Sequence, residues 1–222
     1  VIREHADMGI ATDGDGDRLF LIDEKGDVVP PHILRGILAK PFLKDFPNSN
    51  IVYDIRPGKI TKDIIEEFGG KPIITKVGHS LIKEKMREVN AVYACESSGH
   101  FFLRFDHGYY EAPMIMIGKI LEELSGSNLT LSEMVQPYKK YAHSGEINSK
   151  VKNPTEKIKE ITSLYEDALT INTLDGVTIE YKTYWFNIRV SNTESLLRLT
   201  VEAKTKEIME KKKEEILKII RS

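Results

Sequence analysis

Between residues 50 and 95 the sequence alternates short β-branched runs with longer amphipathic segments: NIVYDI, KITKDIIEEFGG, KPIITKV, HSLIKEKMREVN and AVYAC. The runs have strand length and composition, and the segments between them repeat apolar residues at helical intervals, the first being stopped by a glycine pair. Strands separated by helices cannot join as tight hairpins. They lie parallel, with the helices covering both faces of the sheet.

The flanks extend this pattern. Upstream, LFLIDEKGDVV reads as two β-runs joined by a turn at Glu24 to Gly26, and HILRGILAKPFLKDF has helical spacing interrupted by Pro41. Downstream, YYEAPMIMIGKILEELSG reads as a helix ending near Gly126, and TLSEMV opens another, with Thr130 as N-cap and Glu133 at the capping-box position. QPYKKYAHSGE, with Pro137 and Gly145 and little periodicity, reads as a connection and marks a domain boundary. Beyond it TEKIKEITSLYEDAL is helical, GVTIEYK, WFNIRV and LLRLTVEAK are strands, and KEIMEKKKEEILKIIRS is an amphipathic helix. The expected fold class is therefore α/β: a mixed, mostly parallel α/β sheet domain followed by a smaller α+β C-terminal domain. The 222 residues, 41% apolar, suffice for one large or two medium domains.

A net charge of −2 gives no reason to expect a nucleic-acid or membrane partner. The most apolar stretch, APMIMIGKIL, is broken by Lys119 and falls short of the roughly 20 residues of a membrane span. Cys95 is the single cysteine, so no disulfide framework exists and a reducing cytosol is compatible, with a cytoplasmic location expected. The opening VIREHADMGI carries no initiator Met and no secretion signal, and reads as an interior stretch.

Residues 12–18, TDGDGDR, crowd Asp13, Asp15 and Asp17 into five positions with Arg18 behind them. On an extended segment the three carboxylates share a face and raise one another's pKa unless a cation sits among them. The spacing, with Glu24, matches positions 1, 3, 5 and 12 of an EF-hand loop, but position 6 holds Arg18 where glycine is needed, and a turn and strand follow where a helix is needed. Carboxylates with an arginine alongside suit a hard cation such as Mg2+ that leaves room for a phosphate oxygen; a solvated acidic turn is the plainer alternative.

Three further stretches carry donors. KVGHS puts Gly78 and His79 between strand and helix, where backbone approaches ligands and anions are attracted, though a capping or exposed histidine fits equally. CESSGH offers Glu96, Ser98 and His100 beyond a strand's carboxyl end, suited to sugar hydroxyls but also to an ordinary polar loop. RVSNTESLLRL gathers Arg189, Ser191, Asn192 and Thr193, a donor-rich nest for phosphate or simply a tight turn.

In this order, TDGDGDR, VGHS, ESSGH and RVSNTE resemble the α-D-phosphohexomutase family of phosphomannomutases and phosphoglucomutases, over nearly the whole chain. The resemblance implies a four-domain plan, with residues 1–29 the tail of the second domain and its metal-binding loop, 30–138 the sugar-binding α/β domain, and 139–222 the phosphate-binding C-terminal domain. It implies Asp13, Asp15 and Asp17 as Mg2+ ligands, and Arg18, Arg56, His79 and His100 as catalytic residues. Glu96 and Ser98 would bind sugar hydroxyls, while Arg189, Ser191, Asn192 and Thr193 would grip the phosphate that is not transferred. Cys95 replaces the family's frequent glycine before the glutamate, and Ser195 its frequent proline.

The implied activity interconverts a hexose 1-phosphate and 6-phosphate through a phosphoserine and a bisphosphorylated sugar. The phosphoserine loop belongs to an N-terminal domain that the resemblance does not place in these residues, so the chain alone is expected to be inactive and to need that domain as partner. Mannose, glucose and glucosamine remain open as the hexose, and a non-catalytic phosphosugar- or Mg2+-binding module is the alternative from another class.

Overall fold

In the computed structural model, which describes residues 1–56, 58–191, 194 and 196–222, the aspartate-rich stretch joins two short antiparallel strands, β1 (Met8–Ala11) and β2 (Phe20–Asp23). α1 (Pro31–Asp45) follows, and the alternation predicted between residues 50 and 95 is present as β3 (Asn50–Asp54), α2 (Lys59–Glu67), β4 (Lys71–Thr75), α3 (His79–Val89) and β5 (Tyr93–Cys95). β6 (Phe101–Phe105), β7 (Gly108–Glu111), α4 (Pro113–Ser125) and α5 (Leu131–Val135) complete a first unit, Val1–Lys139.

Its main sheet runs β4-β3-β5-β6-β7, parallel across β4-β3-β5 and antiparallel through β6 and β7. Helices pack on both faces because alternate strand residues point opposite ways. Val52 and Ala94 meet Ile82 and Met86 of α3, whereas Tyr93 stacks on Phe42 of α1 with ring centroids 5.5 Å apart.

The differences from expectation have local causes. YYE belongs to a hairpin with β6, and the helix starts only at Pro113, whose fixed φ and missing N–H suit a first turn. Pro41 does not interrupt α1, which is continuous around it; residues on most sides of this helix are buried, and that packing outweighs the roughly 3 kcal/mol an interior proline costs. The aspartates do not lie on an extended strand but in a folded loop, turned at Gly16 with φ +75°.

The capping box at α5 is present: Glu133 N–H donates to Thr130 Oγ1, and Thr130 N–H to Glu133 Oε2. Glu24, the residue at the last EF-hand position, is engaged there too. It accepts from Ser132 N–H at 3.1 Å and from the Ser132 hydroxyl at 2.5 Å. Desolvation pushes the Glu24 carboxyl up, but the Ser132 hydroxyl and amide outweigh it and hold the group down at about 2. A carboxylate so depressed stabilises the fold above its ordinary value of 4.5 and loses that contribution as pH falls toward about 2. Glu24→Gln should therefore lower stability by about 1–2 kcal/mol at pH 7 and by much less near pH 2.5, read from urea midpoints. An equal loss at both pH values would contradict this.

The second unit, Lys140–Ser222, contains β8 (Ala142–Lys150), α6 (Pro154–Leu164), β9 (Thr170–Asn172), β10 (Val177–Glu180), β11 (Tyr184–Val190), β12 (Leu196–Ala203) and α7 (Lys206–Arg221). Its sheet, β8-β12-β11-β10-β9, is antiparallel throughout. Ile179, Phe186, Ile188, Leu197, Leu199 and Val201 form the buried face, covered by Ile161 of α6 and by Met209, Ile216 and Ile220 of α7. The stretch expected to be a connection becomes β8 from Ala142 onward. AHSGEINSK is mostly polar because an edge strand buries little, so no alternation marks it.

Candidate functional site

The loop after β1 gathers Asp13, Asp15 and Asp17 so that one carboxylate oxygen from each lies within 4.8 Å of the others. Asp13 and Asp17 are half-buried and Asp15 is exposed. An all-oxygen set at this spacing fits a hard divalent cation. Mutual repulsion does not dominate at Asp13: desolvation raises its pKa, but the Arg18 amide, donating at 3.3 Å, and the Arg18 guanidinium hold it below the usual carboxylate value.

This loop is tied to the loop between β5 and β6. Arg18 forms an antiparallel bridge with His100, Leu19 N–H donates to Gly99 O at 3.0 Å, and Asp17 Oδ2 lies 3.2 Å from His100 Nε2. Gly99 makes the turn with φ +100°. His100 Nδ1 donates to Glu96 Oε2 at 3.1 Å, with the Ser98 hydroxyl 2.8 Å from the same nitrogen. The Glu96 hydrogen bond, against desolvation, raises the His100 pKa; the same bond lowers that of Glu96 against the desolvation that would raise it.

Glu96 leads in turn to a buried ionic cluster. Arg56 Nη2 donates to Glu96 Oε1 at 3.2 Å and to Asp54 Oδ2 at 3.0 Å, while Arg56 Nε donates to Asp54 Oδ1 at 3.1 Å. Asp54 also accepts from Ser97 N–H at 2.5 Å and from the Ser97 hydroxyl at 2.9 Å, and Arg35 Nη1 lies 3.6 Å from Asp54 Oδ2. Desolvation would raise the Asp54 pKa, yet Arg56 and Arg35 drive it far below the carboxylate range. Asp54, Arg35 and Ser97 were not singled out from the sequence. The signal was there for Asp54, a charge at the carboxyl end of an apolar parallel strand.

His79 starts α3 and touches Glu111, at the end of β7, through Nε2; its ring centroid lies 5.8 Å from that of His100. The first unit thus brings Asp13, Asp15, Asp17, Arg18, Arg56, His79, Glu96, Ser98 and His100 into one continuous network. Cys95 is a fully buried residue, its thiol pushed up to about 12 by burial.

In the second unit Arg189 is the penultimate residue of β11, with its side chain only 4% exposed, and its Nη2 donates to Glu146 Oε2 of β8 at 2.6 Å. Arg198, directly opposite Arg189 on β12, donates to Glu146 Oε1 at 3.3 Å and to the Ser191 hydroxyl at 3.1 Å. One carboxylate thereby holds two guanidinium groups that would otherwise repel, beside Ser191. Glu146 and Arg198 were not marked in the sequence either, because only strand register brings them to Arg189. Asn192 and Thr193 lie outside the described residues.

An α/β sheet domain with helices on both faces, followed by a small antiparallel α+β domain, with polar loops at the strands' carboxyl ends, defines the class. Residues 30–141 match the domain described as "Phosphoglucomutase/phosphomannomutase, alpha/beta/alpha domain III", and residues 146–219 the corresponding "C-terminal domain". The chain belongs to the α-D-phosphohexomutase family.

It is 43% identical over 220 residues to a phosphomannomutase of Methanocaldococcus jannaschii and 41% identical over 224 residues to one of Escherichia coli, covering 99% of this chain and 49% of each relative. A solved phosphoglucomutase/phosphomannomutase family protein of Burkholderia thailandensis superposes with a TM-score of 0.86 at 28% identity, over 99% of this chain and 48% of that one. An Aspergillus fumigatus N-acetylphosphoglucosamine mutase in complex with GlcNAc-6P and magnesium shares the fold, with a TM-score of 0.69 at 13% identity over 96% of this chain and 48% of that one. The chain spans about half the length of the curated relatives it matches. Among the described residues no helix is long and apolar enough to cross a membrane.

Proposed function

We propose that this chain supplies the metal, sugar and phosphate stations of a phosphohexomutase that interconverts hexose 1-phosphate and 6-phosphate, with mannose or glucose as the sugar, through a phosphoserine and a bisphosphorylated intermediate. The observation that carries this reading is the joining of the aspartate loop to the ESSGH loop through Arg18, Asp17 and His100. On this reading a cation station, a guanidinium and sugar-hydroxyl partners would share one span.

Asp13, Asp15 and Asp17 would hold Mg2+, which when bound offsets the negative charge of a phosphate. The A. fumigatus mutase solved with magnesium supports that choice of ion. Arg18, with a side chain 46% exposed, is positioned to reach an anion beside the aspartates. Arg56 presents a second guanidinium, fixed by Asp54 and Glu96. In phosphoryl transfer such fixed charges do most of what a protein contributes. Glu96 and Ser98 would accept from and donate to sugar hydroxyls, while His100 holds a proton between Glu96 and Asp17. His79 would add a donor from the start of α3. Arg189 and Ser191, with Asn192 and Thr193, would grip the phosphate that is not transferred.

The phosphoryl carrier is proposed to come from outside these residues, since relatives are about twice as long. Calorimetric titration with glucose 1-phosphate and mannose 1-phosphate should show binding, weakened at least tenfold by Arg189→Met, with no turnover by the chain alone. Adding the N-terminal half of the M. jannaschii relative should produce conversion of mannose 1-phosphate to mannose 6-phosphate. Binding without conversion would favour a non-catalytic phosphosugar module; absence of binding would remove both readings.

A further inference from the structure

The cluster on the far side of Asp17 has a different chemistry from the aspartate trio. Asp17, His100 and Glu111 each offer one ligand atom, all within 4.8 Å of one another. Three separate elements contribute them: the loop after β1, the residue before β6 and the end of β7. His79, at the start of α3, abuts Glu111 Oε1 through Nε2 and stands beside this group without belonging to it. Glu111 Oε1 is buried yet accepts no hydrogen bond of proper geometry.

His100 is oriented for the same point. Its Nδ1 donates to Glu96 Oε2 at 3.1 Å, so Nε2 faces Asp17 and Glu111. A carboxylate behind an imidazole is the arrangement that fixes ring and tautomer at metal sites. The separation of 3.2 Å between His100 Nε2 and Asp17 Oδ2 is close to the roughly 3.3 Å between neighbouring ligands of a tetrahedral ion with bonds of about 2.0 Å.

We propose that His100, Asp17 and Glu111 form a second cation site, completed by His79 once its part-exposed ring turns from Glu111 toward the ion, and selective for a borderline transition ion such as Zn2+ over Mg2+. Imidazole nitrogens with carboxylates suit Zn2+, whereas the trio of aspartates offers only hard oxygens. The two sites share Asp17, so filling one weakens the other. Arg18 Nε, 3.5 Å from His100 Nε2, opposes occupancy, but this half-exposed side chain has solvent to swing into. A transition ion here would withdraw Asp17 and His100 from the sugar-phosphate station, making the site inhibitory. The inference goes beyond the mutase reading and is tested without any sugar phosphate.

The untagged chain is titrated separately with ZnCl2 and MgCl2 in a calorimeter, and with CoCl2 while visible absorption is followed. The expected result is Zn2+ binding that Glu111→Gln weakens at least tenfold while Mg2+ affinity is unchanged, and that Asp15→Asn leaves within threefold while Mg2+ affinity falls. Tetrahedral Co2+ bands should appear in the parent chain and vanish in Glu111→Gln. If circular dichroism shows that Glu111→Gln has not folded, His79→Gln, at a position with a side chain 42% exposed, carries the same expectation. Absence of Zn2+ binding, or Zn2+ affinity that follows Asp15→Asn and ignores both Glu111→Gln and His79→Gln, overturns the proposal.

Discussion

Replacing Asp54 with alanine is expected to remove about 3–5 kcal/mol of unfolding free energy, a large part of the 5–15 kcal/mol that a domain commands. Asp54 is 0% exposed and neutralises Arg35, itself 2% exposed, together with Arg56. Removing the carboxylate leaves the Arg35 guanidinium buried without its counter-ion and Arg56 paired with Glu96 but no longer with Asp54, and it strips the Ser97 amide and hydroxyl of their acceptor. Breaking a buried pair from one side is far more damaging than replacing the whole pair with apolar groups. Arg35→Met added to Asp54→Ala should therefore recover a substantial fraction of the loss, a coupling that a double-mutant cycle measures. The measurement is urea denaturation followed by far-UV circular dichroism. A loss under 1 kcal/mol, or strictly additive single changes, would show that water or side-chain movement already compensates Asp54.

The same cluster illustrates what could and could not be read from sequence. The parallel core, β3, β4 and β5 with α2 and α3 between them, was legible because buried strands and amphipathic helices write their periods directly. The capping box at Thr130 and Glu133 was legible for the same reason, a local interaction with a local spacing. β8 was not, since a polar edge strand has no apolar face to betray it. The hairpin of β6 and β7 was hidden by its closeness to the α4 pattern. Nothing in the helical spacing of HILRGILAKPFLKDF marks Arg35, and only the fold reveals it buried beside Asp54 at the carboxyl end of β3.

The site divides in the same way. The aspartates, Glu96, Ser98 and His100 announce themselves by crowding, and Arg189 by its turn; Glu111, Glu146 and Arg198 acquire their roles from register and packing, which no spacing along one strand encodes. What the sequence could not convey is that His100 joins both loops, with one ring nitrogen on Glu96 and the other on Asp17. Nor could it show that Arg189 is already committed to a carboxylate.

Gly176→Ala should be the most damaging change of a single methyl group in the second unit, at about 3 kcal/mol or more. Gly176 sits just before β10 at φ +65°, in the left-handed region that costs a residue with a Cβ roughly 1–2 kcal/mol. A Cβ there would lie 2.1 Å from Ile188 O and 2.6 Å from Arg189 Cα. Those are backbone atoms of β11 and have no rotamer to retreat into, so overpacking adds a further 1–3 kcal/mol or so. Gly145 supplies the control: it has φ +69° but nothing within 4 Å of an added Cβ, so Gly145→Ala should cost only the conformational part. Trp185, the one tryptophan of the chain, lies on β11 itself and reports unfolding of this unit by fluorescence. The displacement falls on Arg189, so the folded fraction of Gly176→Ala should also bind glucose 1-phosphate more weakly than Gly145→Ala does. Equal stability of the two variants would mean that the approach of β11 to Gly176 relaxes without cost, and the anchor arginine would lose its argued dependence on that contact.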